Sequence, residues 1–81
     1  MAKLLYFGRL TDITGTSSET LPLAEITTTT ALRKALDDTY GASGALLEPS
    51  VRIAINNEMV AEPATVNDED EIAFMPPVGG G

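Results

Sequence analysis

The chain runs out through Pro76-Pro77-Val78-Gly79-Gly80-Gly81, and the one reactive group on that stretch is the backbone carboxylate of Gly81. Glycine has no side chain to pack and loses the most backbone freedom on ordering. A run of it at a terminus is therefore either slack or a thread shaped to enter a narrow channel. In a thread, Gly79 and Gly80 let the channel walls approach the backbone where a Cβ would clash. Pro76 and Pro77 fix φ and remove two donors, so the segment leaves the fold stiff and extended. Less entropy is then lost when it docks. Terminal glycines alone favour a frayed end; the Pro-Pro-Val before them shifts the balance to the thread.

The remaining residues offer little chemistry of their own. The chain has no cysteine and no histidine. It therefore lacks a thiolate nucleophile, a disulfide, a Cys-ligated metal site, the commonest general base and the commonest metal ligand. No metal site is expected. A chain so equipped takes part in chemistry by lending one group to another protein's active site. On that reading the group is Gly81.

Composition narrows the partners. Net charge is −7, from twelve acidic against five basic residues. Nucleic acid and anionic membranes both require a basic footprint, so neither is expected as a partner. A basic protein surface suits the charge better. No apolar run approaches the ~20 residues of a membrane span, and the start lacks the apolar stretch and cleavage site of a signal peptide. The cytoplasm is the expected location.

The elements that must position the tail follow from periodicity. Residues 3–9 alternate as a strand, with Leu4 and Tyr6 on one face and Leu5 and Phe7 on the other. Residues 10–17 have loop composition. Residues 18–24 resume an extended pattern, and Pro22 confines it to a sheet edge. Leu32, Ala35, Leu36 and Tyr40 form one helical stripe, with Thr28 as the N-cap and Gly41 as the terminating residue. Arg33–Asp37 and Lys34–Asp38 have the spacing of i,i+4 ion pairs. Asp37 and Asp38 stand at the unfavourable end of the helix dipole, with no compensation visible in the sequence. A short helical turn is marked at Ala45–Glu48.

Val51 to Asn56 is the clearest strand, with Val51, Ile53 and Ile55 on one face. Asn56-Asn57 signals a tight turn, and Glu58-Met59-Val60 returns. After an acidic connection, Glu71 to Met75 forms the last strand, Ile72 and Phe74 inward. The order ββαβββ, with one main helix on one face of a mixed sheet, is α+β. Apolar first and last strands as central neighbours make it a β-grasp, the ubiquitin-like arrangement, over residues 1–75, with residues 76–81 as a flexible tail.

A second candidate site is apolar. By strand parity Phe7, Met59 and Met75 fall on the sheet face opposite the helix. Exposed together they would suit a partner interface; the alternative is that one or more packs under a loop. Asp68 to Glu71 either meet basic partner groups or form a solvated turn.

The stretch from Asp70 to Gly81 resembles the ending of the small, sulfur-carrying subunits of molybdopterin synthase. Their ending is an acidic turn, an aromatic-bearing strand, Pro-Pro-Val, any residue, then Gly-Gly, and Gly79 takes the free position here. Tyr6-Phe7, Arg9-Leu10, Gly15, the helix register at Ala31-Leu32-Arg33 and the strand-turn from Ala54 to Val60 are similar too. The resemblance thus covers essentially the whole chain. Glu69 departs from it, where glycine is frequent, which bears on the turn type rather than on function.

The resemblance implies that an adenylating enzyme related to ubiquitin-activating enzymes joins Gly81 to AMP, and that the acyl-adenylate becomes a thiocarboxylate. The tail then enters the large synthase subunit, where its sulfur adds to a cyclic pterin monophosphate on the way to the molybdopterin dithiolene. AMP and the thiocarboxylate are covalent intermediates at Gly81; no bound cofactor is implied. The small subunit is no enzyme alone and works within a heterotetramer. The sheet face, with Phe7, Met59 and Met75, would dock both partners. Alternatives are a thiamine-pathway sulfur carrier, against which Pro76-Pro77-Val78 argues, a protein modifier conjugated through Gly81, and a β-grasp binding module without tail chemistry.

Overall fold

A computed structural model describes residues 1–77. Strand β1 spans Ala2–Tyr6 and helix α1 Leu10–Thr14. Strand β2, Ser18–Leu21, precedes helix α2, Thr29–Tyr40. A 3₁₀ turn at Ala45–Leu47 leads to β3 (Arg52–Ile55), β4 (Glu58–Met59) and β5 (Glu71–Met75). The sheet order is β2-β1-β5-β3-β4, with β1 and β5 parallel and the other neighbours antiparallel. This is the expected β-grasp, with the first and last strands paired. β2 is an edge strand that stops one residue short of Pro22.

Alternation decides the layers. Leu4 lies opposite Ile72, and Tyr6 opposite Phe74, across the β1–β5 ladder; Ile53 lies opposite Phe74 across β3–β5. All five are buried in one cluster with Leu32 and Leu36 of α2. The Tyr6 and Phe74 rings stack with centroids 5.7 Å apart, and Tyr40 meets Tyr6 edge-on at 6.3 Å. Glu19 of β2 accepts from the Tyr6 hydroxyl at 2.6 Å and also from the Tyr40 hydroxyl. Burial, and next the Glu19 hydrogen bond, push both hydroxyls above the ordinary tyrosine range, so each stays a donor.

Helix α2 begins and ends where its sequence dictates. Thr28 is extended, and its hydroxyl accepts from the Ala31 N–H at 3.2 Å. Gly41 stops the helix in the left-handed region, at φ 57°. The segment expected to be loop, residues 10–17, instead opens with α1. That helix is only five residues long, too short for a periodic signal. Its buried residues are Leu10 and Thr14, and Gly15 closes it at φ 75°.

Arg33 and Asp37 do not act as the i,i+4 pair their spacing allows. Asp37 turns away from Arg33 to accept from the backbone N–H groups of Gly44, at 3.0 Å, and Leu46, at 3.2 Å. That role explains an aspartate placed against the helix dipole. Arg33, only 7% exposed, reaches the other way. Its guanidinium donates to the carbonyls of Leu46 (2.9 Å), Glu48 (3.2 Å) and Val51, and forks onto Glu62 at 2.8 and 2.6 Å. One arginine thus ties α2 to the 3₁₀ turn, to the entry of β3 and to the connection before β5.

The Arg33 hydrogen bond is the main cause that holds the Glu62 carboxyl below its ordinary value of 4.5, against an opposing effect of burial. The ion pair therefore contributes in full above that value and is lost as pH falls through the lower folded one. Urea midpoints followed from neutral into acid pH should decline along that limb, and decline less for Glu62→Gln, which starts lower at neutral pH. Arg33→Met, which strands the buried carbonyls, should cost about 2–4 kcal/mol.

Candidate functional site

The root of the tail is built by the ends of β1, β5 and β3. β5 runs between β1 and β3, so the chain leaves the sheet from its middle rather than its edge. Pro76 is half-buried there and Pro77 is exposed. Val78, Gly79, Gly80 and Gly81, the other tail residues named from sequence, lie outside the described residues.

The face of the sheet turned away from the core carries the three apolar residues expected there. Leu5, Ala73, Ala54 and Met59 form one row across β1, β5, β3 and β4. Met75 lies opposite Arg52 in the next row. Phe7 continues β1 beside Met75, its N–H donating to the Phe74 carbonyl at 3.2 Å. Phe7 and Met75 therefore flank the tail root, with the exposed Arg52 next to Met75. Met59 stands one row away, on the edge strand. Phe7 is 47% exposed and Met59 53%, whereas Met75 is half-buried. Ala54 is buried although it lies on this outer face, whereas Ala73 beside it is half-buried.

The acidic stretch before β5 is used within the fold. Asp68 accepts from the Leu23 N–H at 2.8 Å. Asp70 accepts from the Asn67 N–H at 2.8 Å and the Asn56 side chain at 2.9 Å. Asn56 in turn accepts from the Glu71 N–H at 3.0 Å and donates its own N–H to the Glu71 carbonyl at 2.8 Å. Asn56 and Asn57 have φ of 52° and 72°, the tight turn their side chains tolerate. These carboxylates fasten the entry of β5 and so the strand that carries the tail. Among the described residues no group of three acidic, histidine or cysteine side chains is placed to hold a metal ion. No helix among them is long and apolar enough to cross a membrane.

Sequence reasoning overlooked Gly8 at this site. It has φ +56°, and a Cβ built on it would stand 2.9 Å from Cγ of Pro76. The signal was a glycine directly after an apolar strand, but its contact partner lies at the other end of the chain.

Comparison with known proteins fits this arrangement. The model of the ThiS family matches residues 4–81, a span that runs from within β1 through the tail. The chain belongs to the ThiS family. A Dictyostelium discoideum relative named molybdopterin synthase sulfur carrier subunit is 36% identical over 83 residues, covering 98% of this chain and 94% of that protein. The Escherichia coli K12 protein of the same name is 34% identical over 84 residues and is covered completely, as is this chain. Among solved structures, small archaeal modifier protein 1 from Methanosarcina acetivorans superposes with a TM-score of 0.78 at 23% identity, over 99% of this chain and 95% of that one. That likeness is one of fold. The ThiS-family membership agrees with the resemblance read from the tail, and the β-grasp is the fold of its structural neighbours.

The outer face of this ThiS-family chain should tolerate charge. Phe7→Asp and Met59→Asp should each change unfolding free energy by no more than about 1 kcal/mol. Phe74→Ala, on the opposite face, should cost about 3–5 kcal/mol. Urea denaturation of the three variants checks the contrast.

Proposed function

We propose that this chain is the sulfur carrier subunit of a molybdopterin synthase, loaded at the carboxylate of Gly81. The observation that carries this reading is full-length similarity to subunits of that name, running through the Pro-Pro-Val-Gly-Gly-Gly segment. A carboxylate is a poor electrophile. An adenylating enzyme of the ubiquitin-activating type makes it reactive: the carboxylate oxygen attacks the α-phosphorus of ATP, pyrophosphate leaves, and AMP becomes the leaving group. A sulfur donor then displaces AMP and leaves a thiocarboxylate. That group is ionised at neutral pH and nucleophilic without a local base, which suits a chain with neither histidine nor cysteine. In the large subunit its sulfur adds to a cyclic pterin monophosphate, and the carrier returns as the carboxylate. Loading needs a compartment supplied with ATP, and the reading takes that compartment to be the cytoplasm.

Two features of the fold suit the docking this reading requires. Pro76 and Pro77 lower the entropy lost on entering a slot. Phe7 and Met75 beside the root, with Met59 beyond, offer an apolar surface continuous with the tail, on which an activating enzyme and a large subunit would dock in turn. The likeness to an archaeal modifier is one of fold alone, so conjugation of Gly81 to lysines gains no support from it.

Deleting Gly81 should abolish dithiolene formation in a synthase reconstituted from purified subunits, with the circular dichroism and urea midpoint of the carrier unchanged. Retained activity would remove the tail from the chemistry. Phe7→Asp and Met75→Asp should weaken association with the large subunit by at least about tenfold in calorimetry, as expected for apolar anchors at an interface. An affinity unchanged by both would exclude the outer face from the interface.

A further inference from the structure

Three constraints meet where the chain leaves β5. In the parallel β1–β5 ladder the Phe7 N–H donates to the Phe74 carbonyl at 3.2 Å. The next rung would run from the nitrogen of residue 76 to the Phe7 carbonyl. Pro76 has no N–H, and the Phe7 carbonyl accepts instead from the Leu10 N–H at 3.2 Å. The ladder stops, and the ring of Pro76 comes to rest over Gly8. A Cβ on Gly8 would meet Cγ of that ring at 2.9 Å and Cδ at 3.7 Å.

The Gly8 side of this contact is fixed. Its carbonyl accepts from both the N–H (3.2 Å) and the hydroxyl (2.9 Å) of Thr11 in the first turn of α1. Leu10, two residues on, is buried in the core. A side chain at residue 8 would therefore displace the proline ring rather than the turn.

We propose that Gly8 is a positioning residue for the carboxyl-terminal segment: its missing Cβ seats the Pro76 ring on the β1–α1 turn, and the seat sets the direction in which the residues beyond Pro76 leave the fold. The kinetic consequence rests on the function proposed above; the seating does not. A segment of five residues drawn out in a slot is roughly 16 Å long, at ~3.3 Å per residue. A tilt at its root is multiplied at the reacting carboxylate, where misplacement by about 1 Å already costs rate. Backbone conformation alone could also require glycine at φ +56°. Asparagine separates the two causes, because it tolerates that region, as Asn56 and Asn57 do in this chain, yet carries a Cβ.

The test uses the full chain with Gly8→Asn, Pro76→Ala and the two combined. The wild type should show a nuclear Overhauser contact between the Gly8 α-protons and the Pro76 ring. In Gly8→Asn the Cα–Hα residual dipolar couplings of Pro76 and Pro77 should change while those of β1 and β5 stay. With the cognate adenylating enzyme, kcat should fall at least about tenfold with docking affinity retained. The double variant, which lacks the obstructing Cγ, should return to within about threefold of Pro76→Ala. Wild-type couplings and rate in Gly8→Asn, or no recovery in the double variant, would overturn the proposal. Should Gly8→Asn not fold, Pro76→Ala, which empties the seat and leaves Gly8 in place, must shift the Pro77 couplings instead, and unchanged Pro77 couplings there would overturn the proposal. A wild-type chain that is never adenylated would sink the proposed function, while the coupling comparison still decides the seating.

Discussion

The parallel pairing of β1 with β5 is the constraint on which the rest of this structure depends. It joins the two ends of the chain at the centre of the sheet and brings Leu4 to Ile72 and Tyr6 to Phe74. The entropy of closing so long a loop rises only slowly with its length, and the burial of those four side chains opposes it. β5 is also paired along its other edge, with β3. A segment that follows such a strand hangs from a part of the molecule that opens only when most of the fold does.

The same pairing divides the labour between the faces of the sheet. One face is closed by α2 and holds the core. The other presents Phe7, Met75 and Met59 around and beyond the tail root. Polar groups that sequence patterning would place at the surface are drawn inward to secure the connections instead. Arg33 gathers three carbonyls and Glu62, and Asp37 caps the 3₁₀ turn. Asp68 and Asp70 tie down the approach to β5. Part of the chain's acidity is therefore structural, and the net charge overstates what is free to meet a partner.

The sequence made legible those features whose cause is local or periodic. Thr28 and Gly41 bounded α2 because capping is settled within a few residues. Asn56-Asn57 announced its turn for the same reason, and alternation in β1, β3 and β5 assigned both faces. The tail stood out by composition, by what glycine, proline and a carboxylate can do, and the chemistry proposed for it comes from the family resemblance. Features whose cause is distant in the chain stayed hidden. Arg33 and Asp37 have the spacing of partners but are claimed by groups up to 29 residues away. Gly8 was read as part of a strand because its reason for being glycine, Pro76, comes at the far end. α1 escaped because five residues cannot establish a helical period.

The account stands or falls on whether another protein loads sulfur onto the last backbone carbonyl carbon. The most direct measurement is the intact mass of the full chain after incubation with its adenylating enzyme, ATP and a sulfur donor, followed by fragmentation. The account predicts a gain of one oxygen-to-sulfur exchange, confined to the fragment that contains Gly81 and absent without ATP. A chain that keeps its mass under these conditions, or gains sulfur at any other residue, would contradict it.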